Sequence, residues 1–454
     1  MKVKGKFWIG AILACVLALG SCGAKANDFA GGGGGAETDV LPAGEDVGPD
    51  AAEPEGGQET DFPAPGQLTA GEWNDNENYE FFLSLFSKGG TDMAVGTEEN
   101  SKEESADSVE VSEEQSVDSV GISEGQGAES ARAGIFSEYT NEWGLYTQNR
   151  VTVDVRGTDG KPCAGATVEL RFDTGKTLKT KTDARGTAYF FPDTVAPYEI
   201  FGGYETLVRL ERGEEGYLLD ETSRSFSALD LCFMIDTTGS MGDELAYLQS
   251  EVSDVISRVQ AEFPAADIRL GLVFYRDEGD DYVVRMSDFT GDIQAQQRFL
   301  AEQSAGGGGD YPEAVHEAFG AALKLGWREE SRKILVPVLD APPHGEKNEQ
   351  GNAVDIEAEF GKLVYEASQC GIAAVPVAAS GADTLTQYLM RSAALITGGT
   401  YVFLTNDSGI GNSHEMPAVG EFTVEYLNSC LVRVIGELYD GIPREPVDFR
   451  QETR

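Results

Sequence analysis

The sequence predicts an α/β protein: a doubly wound, mainly parallel sheet, preceded by a small all-β sandwich and by disordered acidic N-terminal tethers. Apolar runs at Ala228 to Asp236, Ile268 to Tyr275, Lys333 to Leu339, Ile372 to Ala379 and Tyr401 to Leu404 alternate with amphipathic helical stretches. That alternation is the order of parallel strands joined by helical crossovers. From Val151 the period shifts to strand alternation, in VTVDVRGTDGKPCAGATVEL and TLKTKTDARGTAYFFP. Turns at Asp159-Gly160 and Ala184-Arg185-Gly186 then imply antiparallel hairpins.

The N-terminus carries Lys2, Lys4 and Lys6, an apolar run from Phe7 to Leu19, then Gly20-Ser21-Cys22. A basic start and a short apolar stretch specify an export signal over residues 1–22 and not a spanning helix. Leu19-Gly20-Ser21-Cys22 resembles a bacterial lipobox, which implies lipidation of Cys22 and a membrane-anchored, extracytoplasmic lipoprotein. Residues 23–66, with a glycine run from Gly31 to Gly35, are too poor in apolar side chains to fold and read as a flexible tether. Residues 67–88 interrupt it with Trp73, Tyr79, Phe81, Phe82 and Phe86, a short aromatic segment expected to dock on a folded neighbour. Residues 89–135 return to Ser, Glu, Asp and Gly, a self-repelling acidic spacer.

The sandwich is expected over 136–225 as a structural module, the α/β domain over 226–445 and a tail over 446–454. Asp277, Glu278, Asp280 and Asp281 read as a solvated acidic turn, and the short Gly279 to Asp281 connection implies one antiparallel edge strand.

A net charge of -44 over 454 residues disfavours nucleic acid and adsorption to anionic membranes. No GxxxxGK[ST] loop supports nucleotide binding. Of six cysteines, Cys15 and Cys22 lie in the leader, leaving Cys163, Cys232, Cys370 and Cys430 as buried thiols or disulfides.

The chemistry-bearing stretch is LDLCFMIDTTGSM, Leu229 to Met241, which delivers Asp236, Thr238 and Ser240 into one loop at a strand end. One carboxylate and two hydroxyls are hard oxygen ligands suited to a divalent cation: Mg²⁺ first, with Ca²⁺ or Mn²⁺ meeting the same demand. Ser and Thr also cap helices, and Asp often ends a strand, so the loop alone does not decide. Two further loops add oxygen: Gly306 to Asp310 precedes the helical pattern of Tyr311 to Gly326, and Lys333 to Asp340 is a buried strand ending in a carboxylate. The three histidines lack catalytic or zinc spacing; His344 and His414 fall near the same sheet edge, on the rim of the expected site.

At these residues the chain resembles a von Willebrand factor A domain with a metal-ion-dependent adhesion site. Asp236, Thr238 and Ser240 match its first element and Asp340 its third, while Asp310 stands where adhesion domains usually have Thr. GLVFYRDEGDDYVVRMSDFT, DAPPH and NDSGIGNSHEMPAVGEF look like a bacterial extracytoplasmic subgroup, in which an immunoglobulin-like or carboxypeptidase-regulatory-like module often precedes the A domain. The resemblance implies a cation held by Asp236, Thr238, Ser240, Asp310 and Asp340, and an extracytoplasmic protein partner whose acidic side chain completes the coordination. Binding, not catalysis, is the expectation. The alternatives are an envelope protein stabilised by its metal, and a metal-dependent hydrolase using His344 or His414.

Overall fold

The computed structural model describes residues 39–40, 62–87, 134–139, 143–345 and 356–452. The expected leader with Cys22, and most of the tether and spacer, lie outside the described residues.

One large sheet organises the chain. Its strands are β1 (Thr69–Trp73), β2 (Ala228–Asp236), β3 (Asp267–Tyr275), β4 (Val284–Thr290), β5 (Arg332–Leu339), β6 (Ile372–Ala374), β7 (Val377–Ala378), β8 (Tyr401–Leu404) and β9 (Glu425–Tyr426). In space the order is β4-β3-β2-β5-β7-β8-β1-β9, with β6 also paired to β5 and the short Asp39–Val40 strand beside β4. β3, β2, β5, β7 and β8 run parallel. β4 returns antiparallel to β3, as the short acidic connection implied. The expected strand over 372–379 is split at Val375-Pro376, because proline has no N–H to give a ladder.

The helices are α1 (Tyr79–Ser84), α2 (Leu245–Glu262), α3 (Ile293–Ala301), α4 (Val315–Leu323), α5 (Ile356–Cys370), α6 (Thr384–Thr397) and α7 (Leu427–Asp440). Local chemistry sets their ends. Asp383 caps α6 by accepting from the Thr386 N–H at 2.8 Å, and Gly398 closes it at φ 70°. Strand β2 shows why both sheet faces are covered: Leu229, Leu231, Phe233 and Ile235 join the core beneath α2, α3 and α7. Cys232 and Met234 join the core beneath α4, α5 and α6. A strand buried on both faces reads as a continuous apolar run, and each large side chain so buried contributes about 1.5–3 kcal/mol. Among the described residues no helix is long and apolar enough to cross a membrane.

The aromatic segment is more than a docking element, since β1 lies between β8 and β9 inside the main sheet. Gly66, expected in the tether, is fixed too: Glu251 accepts the Gly66, Gln67 and Leu68 N–H groups at 2.8, 2.7 and 3.1 Å. Phe136, Trp143 and Leu145, expected in the sandwich, belong to the α4–α6 core.

The sandwich pairs two four-stranded sheets between Val151 and Leu218. Both expected turns form, yet they are not hairpins of the sheet: each joins strands of opposite sheets. The hairpins within its sheets are Thr167–Phe172 with Thr177–Lys181, Tyr198–Gly203 with Val208–Arg209, and Glu211–Arg212 with Tyr217–Leu218. Alternation alone cannot distinguish a hairpin from a crossover between stacked sheets. Cys163, Cys232 and Cys430 are free buried thiols.

Candidate functional site

The chain leaves β2 for β3 on one side, then crosses back to β5 on the other, so the strand order reverses between β2 and β5. Open α/β sheets bind ligands in the crevice at such a reversal, beyond the carboxyl ends of the strands. Ile235 pairs with Val338, which brings Asp236 and Asp340 to adjacent strand ends.

The first loop folds on itself. Asp236 Oδ1 accepts from the Thr238 N–H at 2.8 Å and the Thr238 hydroxyl at 2.6 Å, and the Thr238 and Ser240 hydroxyls lie 3.1 Å apart. Asp236 and Thr238 are buried, while Ser240 is exposed at the mouth. The other carboxylate oxygen, Asp236 Oδ2, is buried with no hydrogen-bond partner, as is Asp340 Oδ1.

Backbone contacts lock the loops together. The Gly306 N–H donates to Thr237 O at 3.0 Å, the Gly239 N–H to Gly307 O at 3.2 Å, and the Glu313 N–H to Pro342 O at 3.0 Å. The Gly308 N–H donates to Asp280 Oδ2 at 2.8 Å, adding the β3–β4 connection as a fourth wall. Helix α4 starts at Val315, later than Pro312 suggested, because Glu313 is held in a bridge to Pro343.

The second loop departs from expectation. Asp310 is exposed, and the carboxylate that this loop buries is Glu313, 4 % exposed, with Oε2 unpartnered. The glycine run contains no hydroxyl; Glu313, one residue beyond Pro312, was the signal available in the sequence.

The electrostatics follow from packing carboxylates together away from water. Burial, and then the Asp340 charge, pushes Asp236 up to about 7. Burial pushes Asp340 up to about 6, partly offset by the Ser240 hydroxyl and reinforced by Glu244. Burial and the charges of Asp236, Asp277 and Asp340 push Glu313 up to about 9. The buried Tyr275 phenol is raised well above its usual value by burial and by Asp236.

Both rim histidines are held by carboxylates. His344 Nε2 lies 2.6 Å from Asp277 Oδ1, and although burial opposes the imidazolium, Asp277 raises its pKa. Asp277 is thereby buried, not part of a solvated turn. His414 Nε2 lies 3.1 Å from Glu244 Oε1, and its Nδ1 lies 3.2 Å from Asn406 Oδ1.

Among the described residues no three His, Cys, Asp or Glu side chains stand together at metal-ligand spacing. The donor set is mixed instead: two adjacent carboxylates, each with one unpartnered buried oxygen, beside two hydroxyls. Such a set of hard oxygens fits a divalent cation. Unpaired buried carboxylate oxygens are costly, and a cation relieves that cost.

Residues 230–355 match the von Willebrand factor A domain, so a domain of this class occupies that part of the chain. The chain is similar to an alpha-protein kinase of Dictyostelium discoideum, 31 % identical over 137 residues that cover 30 % of this chain and 22 % of the kinase. It is also similar to a putative ariadne-like RING finger protein of Acanthamoeba polyphaga mimivirus, 29 % identical over 126 residues, covering 28 % of this chain and 12 % of that protein. The match thus spans less than a quarter of either relative.

Proposed function

We propose that this protein is a divalent-cation-dependent protein-binding module, exported and anchored to a bacterial membrane through a lipid on Cys22. The observation that carries the reading is the pair of orphaned oxygens, Asp236 Oδ2 and Asp340 Oδ1, at adjacent strand ends beside the Thr238 and Ser240 hydroxyls. Ser240 and one carboxylate oxygen each from Asp236 and Asp340 would hold the cation, with Thr238 ligating or bridging through water. When bound, the cation supplies a Lewis-acidic position open to a partner's oxygen. Mg²⁺ fits the hard donor set, as do Mn²⁺ and Ca²⁺. Binding is preferred to hydrolysis because the sequence offers no nucleophile and base at recognisable spacing.

The test is capture of partners from envelope material with and without EDTA, comparing wild type with Ser240→Ala. Capture should be lost on chelation and in the variant. Capture that survives both overturns the reading.

A further inference from the structure

Glu313 is set where its charge governs the site. Its backbone is tied to the third loop through Pro342 and Pro343. Its side chain reaches back towards the first: a Cβ placed on Gly308 would stand 3.0 Å from Glu313 Oε1 and 3.5 Å from Thr238 Cβ. The Gly308 turn, at φ 73°, therefore leaves room for the carboxylate beside Thr238. Glu313 Oε2 is buried and unpartnered, and the ionisable neighbours acting on it include Asp236, Asp277, Asp340 and Asp280, all acids. Around the mouth Asp243, Glu278, Asp281 and Asp310 are exposed, adding further negative field.

Resting on the cation reading above, we infer that Glu313 sets the charge of this site, so that the partner group accepted there is a neutral oxygen, a hydroxyl or amide carbonyl, and not a carboxylate. A cation held beside these acids displaces their protons, and Asp236, Asp340 and Glu313 would then carry three negative charges against its two positive ones. A further carboxylate would meet a net anionic centre in a site of low dielectric, where like charges repel strongly. A neutral oxygen meets no such penalty.

Mn²⁺ is the probe. Its affinity is measured from the electron paramagnetic resonance signal of the free ion, and access to it from paramagnetic relaxation of acetate and N-methylacetamide methyl protons. Wild type should bind Mn²⁺, relax N-methylacetamide and leave acetate near its protein-free relaxation rate. Glu313→Gln, which keeps the volume, and Glu313→Thr should each lose about 10–100-fold in Mn²⁺ affinity and gain acetate relaxation. Equal acetate relaxation by wild type and both variants, or unchanged Mn²⁺ affinity in both, overturns the assignment. Failure of folded wild-type protein to bind Mn²⁺ at all overturns the cation reading beneath it, and is thus distinguishable.

Discussion

Arg391 and Asp75, 316 residues apart in sequence, form a fully buried ion pair. Arg391 Nε donates to Asp75 Oδ2 at 2.8 Å, Nη2 donates to Oδ1 at 2.5 Å, and Nη1 donates to the Ala418 carbonyl at 2.7 Å. The pair ties the segment after β1 to helix α6 under the main sheet, which makes the aromatic segment a structural part of the α/β domain.

Breaking such a pair strands a buried charge, which typically costs about 3–5 kcal/mol. Asp75→Ala should therefore lower the unfolding free energy measured by urea titration by about 3–5 kcal/mol, whereas an exposed pair such as Arg209–Glu199 should contribute about 0–1 kcal/mol. A loss below about 1 kcal/mol for Asp75→Ala counts against a structural role for the segment.

Gly307 adopts φ 77°, and a Cβ there would stand 2.2 Å from Asp280 Oδ2. Gly307→Ala should thus displace the β3–β4 connection and cost about 1–3 kcal/mol, with weakened cation binding. Gly279→Ala, at φ 90° with open space around its Cβ, isolates the cost of backbone strain alone. Equal Mn²⁺ affinity in the two variants would show that the Asp280 contact does not shape the site.

Ser240 is exposed and its hydroxyl is 3.1 Å from that of Thr238. Ser240→Ala should change stability by less than about 0.5 kcal/mol, as surface substitutions generally do, while reducing cation affinity at least about tenfold. Calorimetric titration with Mg²⁺ or Mn²⁺ decides, and unaltered affinity removes Ser240 from the ligand set.

Asp236, Asp340 and Glu313 all have folded-state values raised above the ordinary carboxyl range, to about 7, 6 and 9. The folded protein therefore holds protons that the unfolded chain releases. Their stabilising contribution is complete below the unfolded pKa of about 4 and is lost as pH rises through the folded values. Metal-free protein should melt at a lower temperature at about pH 8 than at about pH 5, with a shallower decline for Glu313→Gln. Saturating Mg²⁺ should raise the melting temperature more at the higher pH, with protons released on binding. An equal shift at both pH values would falsify the coupling.

Much of the fold was legible along the chain. Strands β2 and β8 begin and end where their apolar runs do, since a strand buried on both faces must be continuously apolar; Asp236 closes β2, and Thr238, Ser240 and Asp340 follow the strand ends that the same pattern defines. Local signals did not reveal β1, because five residues of mixed polarity become a strand only when β8 and β9 supply partners on either side. Nor could spacing choose between Asp310 and Glu313. That choice depends on the hydrogen bond from the Glu313 N–H to Pro342 O, which faces one carboxylate into the crevice and leaves the other in water. Sequence by itself determined which segments are strands and which oxygens end them, because periodicity and residue chemistry are local. Tertiary structure decided which of those oxygens share a low-dielectric space, because burial and charge repulsion arise only between segments brought together from far along the chain.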